Sequence, residues 1–409
     1  MSALPPPLHG VRVVDASQFV AGPYAARCLA ALGAEVIKVE RPPAGELGRI
    51  MPYSVRGQSG YYLQQNMGKK GLCVDLKEPR GCELVKRLAA RSDVLIENFR
   101  PGVLDRLGLG YGDLESLNPG LVYCSISAYG RMGPDAGKPG FGILAEAQSG
   151  VMSLVGLPGE KPPVLRLAMA DGLTGAHAVA AVCAALYGRQ ATGRGRHIDL
   201  ALFDCMVALH DFGIQHYTLS GGQDIATRSG YDVREATPYG VFEARDGYLV
   251  ICAHMPDTWR AMARLMGGEA LSADSRFHDA PGRNAHRDEI LERIEAWTMA
   301  QASVAACLRR LDEAGVPAAP VQTVDQVVAD PQVKERGLLV EHEHPVVGKT
   351  ELPGVPIRFA GGPLALGRAP LLGEHNRQIA RELGYADPDI AALERGGVLH
   401  SEPATGTER

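Results

Sequence analysis

Five short runs rich in β-branched residues, alternating with helical stretches, open this chain. Val11-Arg-Val-Val-Asp15 precedes a helical run, Ala21–Leu32, and Glu35-Val-Ile-Lys-Val39 follows it. Leu72-Cys-Val-Asp75 leads into a helix predicted over Pro79–Ala90, with proline where a helix start tolerates it. Asp93-Val-Leu-Ile-Glu97 and Leu121-Val-Tyr-Cys-Ser-Ile126 are two further strands, separated by short helices. Short strands alternating with longer helices predict an α/β fold, a parallel sheet covered on both faces.

The chain has 409 residues, too many for one ordinary core. Helical patterns continue over Phe141–Met152, Leu173–Arg189 and Leu200–Leu219. Residues 1–219 read as the first part of a large domain. Ser220–Thr237, polar and rich in Gly and Asp, reads as a linker. A smaller domain over 238–320 starts with a hairpin, Tyr239-Gly-Val-Phe242 and Gly247–Cys252, and continues with helices over Asp257–Met266 and Arg287–Leu311. Residues 321–409 return to mixed strand and loop, and the polar tail after Ser401 is expected to be disordered.

Composition narrows the function classes. With 45% apolar and 22% charged residues the chain reads as soluble and globular, and its net charge of −5 gives no sign of a nucleic-acid or anionic-membrane partner. No run approaches eighteen consecutive apolar residues, and Met1–Gly10 lacks the pattern of a signal peptide. The eight Cys form no Cys-x-x-Cys pair and sit mostly in apolar runs, as reduced thiols of a cytosolic protein would. The twelve His include no zinc motif, so no metal is expected.

Ligands of open parallel sheets bind beyond the carboxyl ends of the strands. Polar residues gather there. Ser17, Gln18 and Val20-Ala-Gly-Pro23 follow the first strand, Glu40 and Arg41 the second, and Lys77 the third. Asn98, Phe99 and Arg100 follow the fourth, with Arg106 shortly after. Such cations suit phosphates, and Phe99 suits an adenine face. Each taken singly is also an ordinary solvated charge. Gly22-Pro23 stands where Gly-x-Gly-x-x-Gly would be needed, which argues against a nicotinamide- or flavin-dependent oxidoreductase. Asp171, in Arg166-Leu-Ala-Met-Ala-Asp-Gly-Leu-Thr-Gly175, has two readings. It is either an N-cap or a poorly solvated carboxylate able to act as a nucleophile.

Six stretches, in order, carry a resemblance. They are Leu8-His-Gly-Val-Arg-Val-Val-Asp15, Val20-Ala-Gly-Pro-Tyr24, Leu32-Gly-Ala-Glu-Val-Ile-Lys-Val-Glu-Arg41, Glu97-Asn-Phe-Arg-Pro-Gly102, Thr192-Gly-Arg-Gly-Arg196 and Ala369-Pro-Leu-Leu-Gly-Glu-His375. Over residues 8–385 the chain resembles the class III coenzyme A transferases, the family of formyl-CoA transferase and carnitine CoA-transferase, which also contains α-methylacyl-CoA racemase. The resemblance implies a Rossmann-like large domain completed by the C-terminal segment, an inserted small α+β domain, and an interlocked homodimer. It implies an acyl-CoA donor, a carboxylic acid acceptor and no metal. Carried over by position, the nucleophile is Asp171. The CoA-contacting residues are Val20, Ala21, Arg41, Val74, Lys77, Asn98, Phe99 and Arg106, with a further stretch from Lys138 through Gly140 to Phe141. Backbone N–H groups near Gly140 and Gly142 are candidate oxyanion donors.

Two departures bear on the reaction. The racemase branch has His where this chain has Phe141, and racemisation needs a proton-transferring group there. Phe141 therefore favours acyl transfer over the racemase alternative. The mobile Gly-rich loop of formyl-CoA transferase has no clear counterpart. Gly221-Gly-Gln223 is similar in composition, lies too early, and fits a helix terminus. The presence of Asp171 argues against a non-catalytic partner subunit.

Overall fold

The computed structural model describes residues 4–360 and 362–402. The chain divides into two compact units. The larger holds the residues up to Val151, Leu165–His210 and those from Pro331 on; the smaller holds Met152–Val164 and Asp211–Asp330.

The larger unit is built on six parallel strands, β1 (Arg12–Asp15), β2 (Glu35–Glu40), β3 (Lys70–Cys73), β4 (Val94–Glu97), β5 (Val122–Ser127) and β6 (His197–Ala201). Their spatial order is β3-β2-β1-β4-β5-β6. The order reverses between β1 and β4, which opens a crevice beyond their carboxyl ends. Successive side chains alternate between the two faces. Val13, Val36, Val94 and Val122 join one core, with helices α1 (Ala21–Ala31), α4 (Gly142–Gln148), α5 (Met169–Thr192) and α6 (Leu202–Ala208). Val14, Ile37, Leu95 and Tyr123 join the other, with α3 (Pro79–Ala90) and the C-terminal helices Asn376–Glu382 and Asp387–Arg395.

The C-terminal segment covers the edge strand β3. Asn376 Oδ1 accepts from Cys73 N at 2.8 Å, and Asp75 N donates to Val398 O at 2.9 Å. An unpaired strand edge is thereby satisfied. Ser401 Oγ donates to Gly373 O at 3.0 Å, so the chain is still anchored there. The rest of the tail expected to be disordered, from residue 403, lies outside the described residues.

The smaller unit pairs Tyr239–Ala244 with Gly247–Cys252 across the two-residue turn Arg245-Asp246, and a third antiparallel strand, Ala318–Pro320, joins them. Phe242, Leu249 and Ile251 pack against Trp259, Ile290, Ile294 and Leu311. Ser220–Thr237 belongs to this unit; its Asp232 is buried and ion-paired with Arg287. Gly221 and Gly222, both with positive φ, terminate the helix Gly213–Leu219.

Several elements differ from the sequence expectation. His197–Ala201, whose last two residues fall in the helix expected over Leu200–Leu219, is the sixth strand. Its residues are mostly part-exposed at the sheet edge, so the burial pattern gave no strand signal. The helix expected over Arg287–Leu311 is two, Arg287–Ala300 and Val304–Glu313, because Ser303 caps the second by accepting from Ala306 N at 3.2 Å. The helix α5 begins at Met169, earlier than expected, and is long and apolar enough, by length and composition, to match a membrane span. Its buried residues instead pack in the core with α1 and α4.

Candidate active site

Beyond the crevice between β1 and β4, the chain forms a cleft of about 560 Å³. One wall comes from Gln18 and Phe19 after β1, another from Asn98, Phe99 and Arg100 after β4, and a third from Lys138 to Phe141. Arg106 and Asp171 line it as well. The two strand ends are tied together. Asn98 Oδ1 accepts from Gln18 N at 2.8 Å and its Nδ2 donates to Gln18 O at 2.7 Å. Both polar ends of the Asn98 amide are therefore used on backbone.

The β1 loop is held from below by buried charges. Lys69 Nζ donates to Asp15 Oδ2 at 2.7 Å, to Asn66 Oδ1 at 2.8 Å and to Pro23 O at 3.0 Å. Lys38 donates to the Ser17 carbonyl, and Asp15 accepts from Ser17 N at 3.0 Å. Phe19 has φ +66, unusual for a residue with a Cβ, and its N–H is held by Glu46 Oε2 at 2.8 Å. Burial raises the Asp15 carboxyl, but the Lys38 and Lys69 ammoniums outweigh this and hold it below its ordinary range. Burial lowers Lys69 to about 8 despite Asp15. A buried network satisfied in this way rigidifies what rests on it.

Asp171 stands in the first turn of α5, where Ala168 occupies the N-cap without a side-chain bond. The cap reading of Asp171 is thus corrected: it is the third residue of the helix, and the chain enters the helix before it. Burial pushes its carboxyl up to about 6, and the charge of Glu146 adds to this. Glu146, on α4, is 2% exposed and accepts from Ala170 N at 3.2 Å. The start of α4 comes still closer: a Cβ on Gly142 would lie 2.1 Å from Asp171 Oδ2. Tyr61, on α2 (Gly60–Gln65), is pushed up by burial and by the Asp171 charge. Phe141, the N-cap residue of α4, meets Phe19 edge-on at 6.2 Å between ring centroids.

Residues 8–376 match the model of CoA-transferase family III. The chain belongs to that family. Succinyl-CoA:glutarate CoA-transferase of Homo sapiens is 36% identical over 96% of this chain and 90% of its own. Succinyl-CoA–D-citramalate CoA-transferase of Chloroflexus aurantiacus is 34% identical over 97% of this chain and 98% of its own. Among solved structures, a CaiB/BaiF family protein from Brucella suis superimposes with a TM-score of 0.82 at 37% identity, over 93% of this chain and 100% of the other. The protein is an enzyme, a family III CoA-transferase.

In this transferase the structure brings Ala21, Asn98, Phe99, Arg106, Lys138, Gly140, Phe141 and Asp171 to one cleft. Four other expected contacts are not among the residues that line it. Val20 is buried at the N-cap of α1, between the lining residues Phe19 and Ala21. Val74 is fully buried and bridges to Leu399. Arg41 and Lys77 are exposed after β2 and β3. Those strands lie on the other side of β1 from β4, and neither cation is among the residues that line the cleft. Arg100 and Arg106 have no carboxylate within salt-bridge distance among the described residues, whereas Lys138 pairs with Asp135 at 2.5 Å. Among the described residues no group of three or more His, Cys, Asp or Glu is placed to hold a metal ion.

Three residues at the site escaped the sequence reading: Glu146, Tyr61 and Phe19 in its left-handed conformation. Glu146 sits in an ordinary helical pattern, Ala-Glu-Ala-Gln, and no local signal separates it from a solvated helix charge.

Proposed function

We propose that this enzyme moves CoA from succinyl-CoA to a second dicarboxylic acid through covalent intermediates on Asp171. The observation that carries the reading is the Asp171 carboxylate, pushed up to about 6 in the same cleft as the unpaired cations Arg100 and Arg106. Four relatives support the substrates: by their names they pair succinyl-CoA with glutarate, citramalate, mesaconate or malate, all dicarboxylic acids.

In this reading an Asp171 carboxylate oxygen attacks the donor thioester carbonyl. The C–S bond breaks, giving a mixed anhydride and CoA thiolate. The thiolate attacks the aspartyl carbonyl of the anhydride, and the donor carboxylate leaves. The acceptor carboxylate then attacks the aspartyl–CoA thioester, releasing the thiolate and forming a new anhydride. The thiolate finally attacks the acceptor's carbonyl, so that the new acyl-CoA forms and Asp171 leaves as a carboxylate. The thioester energy is conserved at each exchange. Arg100, Arg106 and Lys138 meet the CoA phosphates, and Phe99 packs on the adenine. Asn98 contributes by fixing the Gln18 backbone. Val20, Val74, Arg41 and Lys77 belong to the supporting wall and the outer basic rim.

A mass-spectrometric exchange assay tests the reading. With succinyl-CoA as donor, glutarate and mesaconate should gain CoA while acetate does not. Failure of every dicarboxylate in the panel would overturn the substrate class.

The assembly is proposed on the same footing, as an interlocked homodimer with the smaller unit inserted in the larger domain. Threaded subunits cannot part without unfolding, so a folded monomer should not accumulate. Light scattering should give twice 43.5 kDa, unchanged on dilution to nanomolar protein. A folded, active monomer contradicts it.

A further inference from the structure

A buried carboxylate beside the proposed nucleophile demands a reason. Glu146 is almost wholly enclosed, yet no Lys or Arg lies within salt-bridge distance of it among the described residues. A buried acid without a cation is costly unless it does something specific. Its recorded partner is the backbone N–H of Ala170, one of the first-turn amides of α5. Helix starts leave such amides unsatisfied, and here the N-cap residue, Ala168, has no side chain able to accept one. Glu146 therefore caps α5 from a neighbouring helix, one residue before Asp171.

We propose that Glu146 is a positioning residue for acyl transfer, fixing the first turn of α5 and placing a second carboxylate beside that of Asp171. The proposal rests on Asp171 being the nucleophile. Its physical content is a difference between states. Resting Asp171 carries a charge that Glu146 repels. In the anhydride and in the aspartyl–CoA thioester Asp171 is acylated and neutral, so the repulsion is gone. An interaction that penalises the resting state and not the intermediates favours the covalent states.

The other groups on elements around α5 do not duplicate this effect. The helix α1 brings Tyr24 and Arg27, α6 brings Asp204, and β6 brings His197 and Asp199. None of these is among the causes that move Asp171, whereas Glu146 is. Tyr61 on α2 feels the Asp171 charge but is itself neutral below its raised range. On the cleft side Lys138 is held by Asp135, and Arg100 and Arg106 complete the charged lining.

Glu146→Gln keeps an oxygen for the Ala170 amide and removes the charge. Two readouts follow. Asp171 must be ionised to attack, so kcat/KM rises with pH through its pKa. Burial is the larger cause of the raised pKa and the like charge of Glu146 adds to it, so its loss should move the acid limb from near 6 to lower pH. With succinyl-CoA and no added acceptor, the acid-quenched wild-type protein should carry CoA on Asp171, seen as an increase in intact mass and located by peptide mapping. In Glu146→Gln the labelled fraction should fall, by about tenfold for each pH unit that the acid limb moves. Glu146→Ala should show both changes and also melt earlier, because the cap is lost.

An acid limb and a labelled fraction equal to wild type in Glu146→Gln would overturn the proposal and leave the nucleophile reading intact. Wild-type label at a residue other than Asp171 would overturn both. If Glu146→Gln only melts earlier, with both readouts unchanged, Glu146 is a structural cap and the proposal fails.

Discussion

Asp171→Asn should bind acyl-CoA normally and lose CoA transfer by a factor of about 10⁴ or more, because the covalent route loses its attacking oxygen. The substitution is nearly isosteric, and Asp171 is not the N-cap of α5, so the fold should be unaffected. Its partly buried site should accept an amide more readily than a charge, and thermal stability should be equal or higher. Exchange kinetics together with a CoA-binding titration check this. If more than about a tenth of the wild-type rate survives, the loss is smaller than even general acid–base assistance would give, and the assignment fails.

Gly142→Ala should be nearly as damaging, by a different route. The new Cβ would sit 2.1 Å from Asp171 Oδ2 and 3.6 Å from the Ala170 Cβ. No Cβ tolerates the first distance, and the movable atom is the carboxylate itself. Asp171 must swing away from its place in the cleft while the short helix α4 stays formed. Displacing a reacting group by about 1 Å costs on the order of a hundredfold in rate. The expected result is a fall of about that size in kcat, with KM for the CoA donor within a few-fold and an unchanged melting curve. Activity within threefold of wild type would mean that the carboxylate does not react from this position.

Apolar runs alternating with helical stretches were enough to predict a parallel sheet with two covered faces, and neighbours such as Val13 and Val14, or Leu95 and Ile96, do enter opposite cores. The polar residues after those strands could be listed from the chain, since the carboxyl ends of parallel strands share one edge of the sheet. The sequence also carried the family, through six motifs in order. It left Asp171 ambiguous between cap and nucleophile, because both fit an acid at the start of a helix.

Spatial order was decided only by the fold. Strand order places β4 beside β1, so Asn98, Phe99 and Arg106 line one cleft with Gln18 and Phe19. The strand β6 was hidden because part-exposed edge residues lack a burial pattern. Glu146, and the contact of Gly142 with Asp171, were hidden for a stronger reason. Their meaning lies in the contact of α4 with the first turn of α5, between residues more than twenty positions apart in the chain. Local sequence determines which segments become helices and which face of each is apolar. Which side chain of one helix ends beside which of another is set by packing, and here that packing places a second carboxylate and a glycine beside the Asp171 carboxylate.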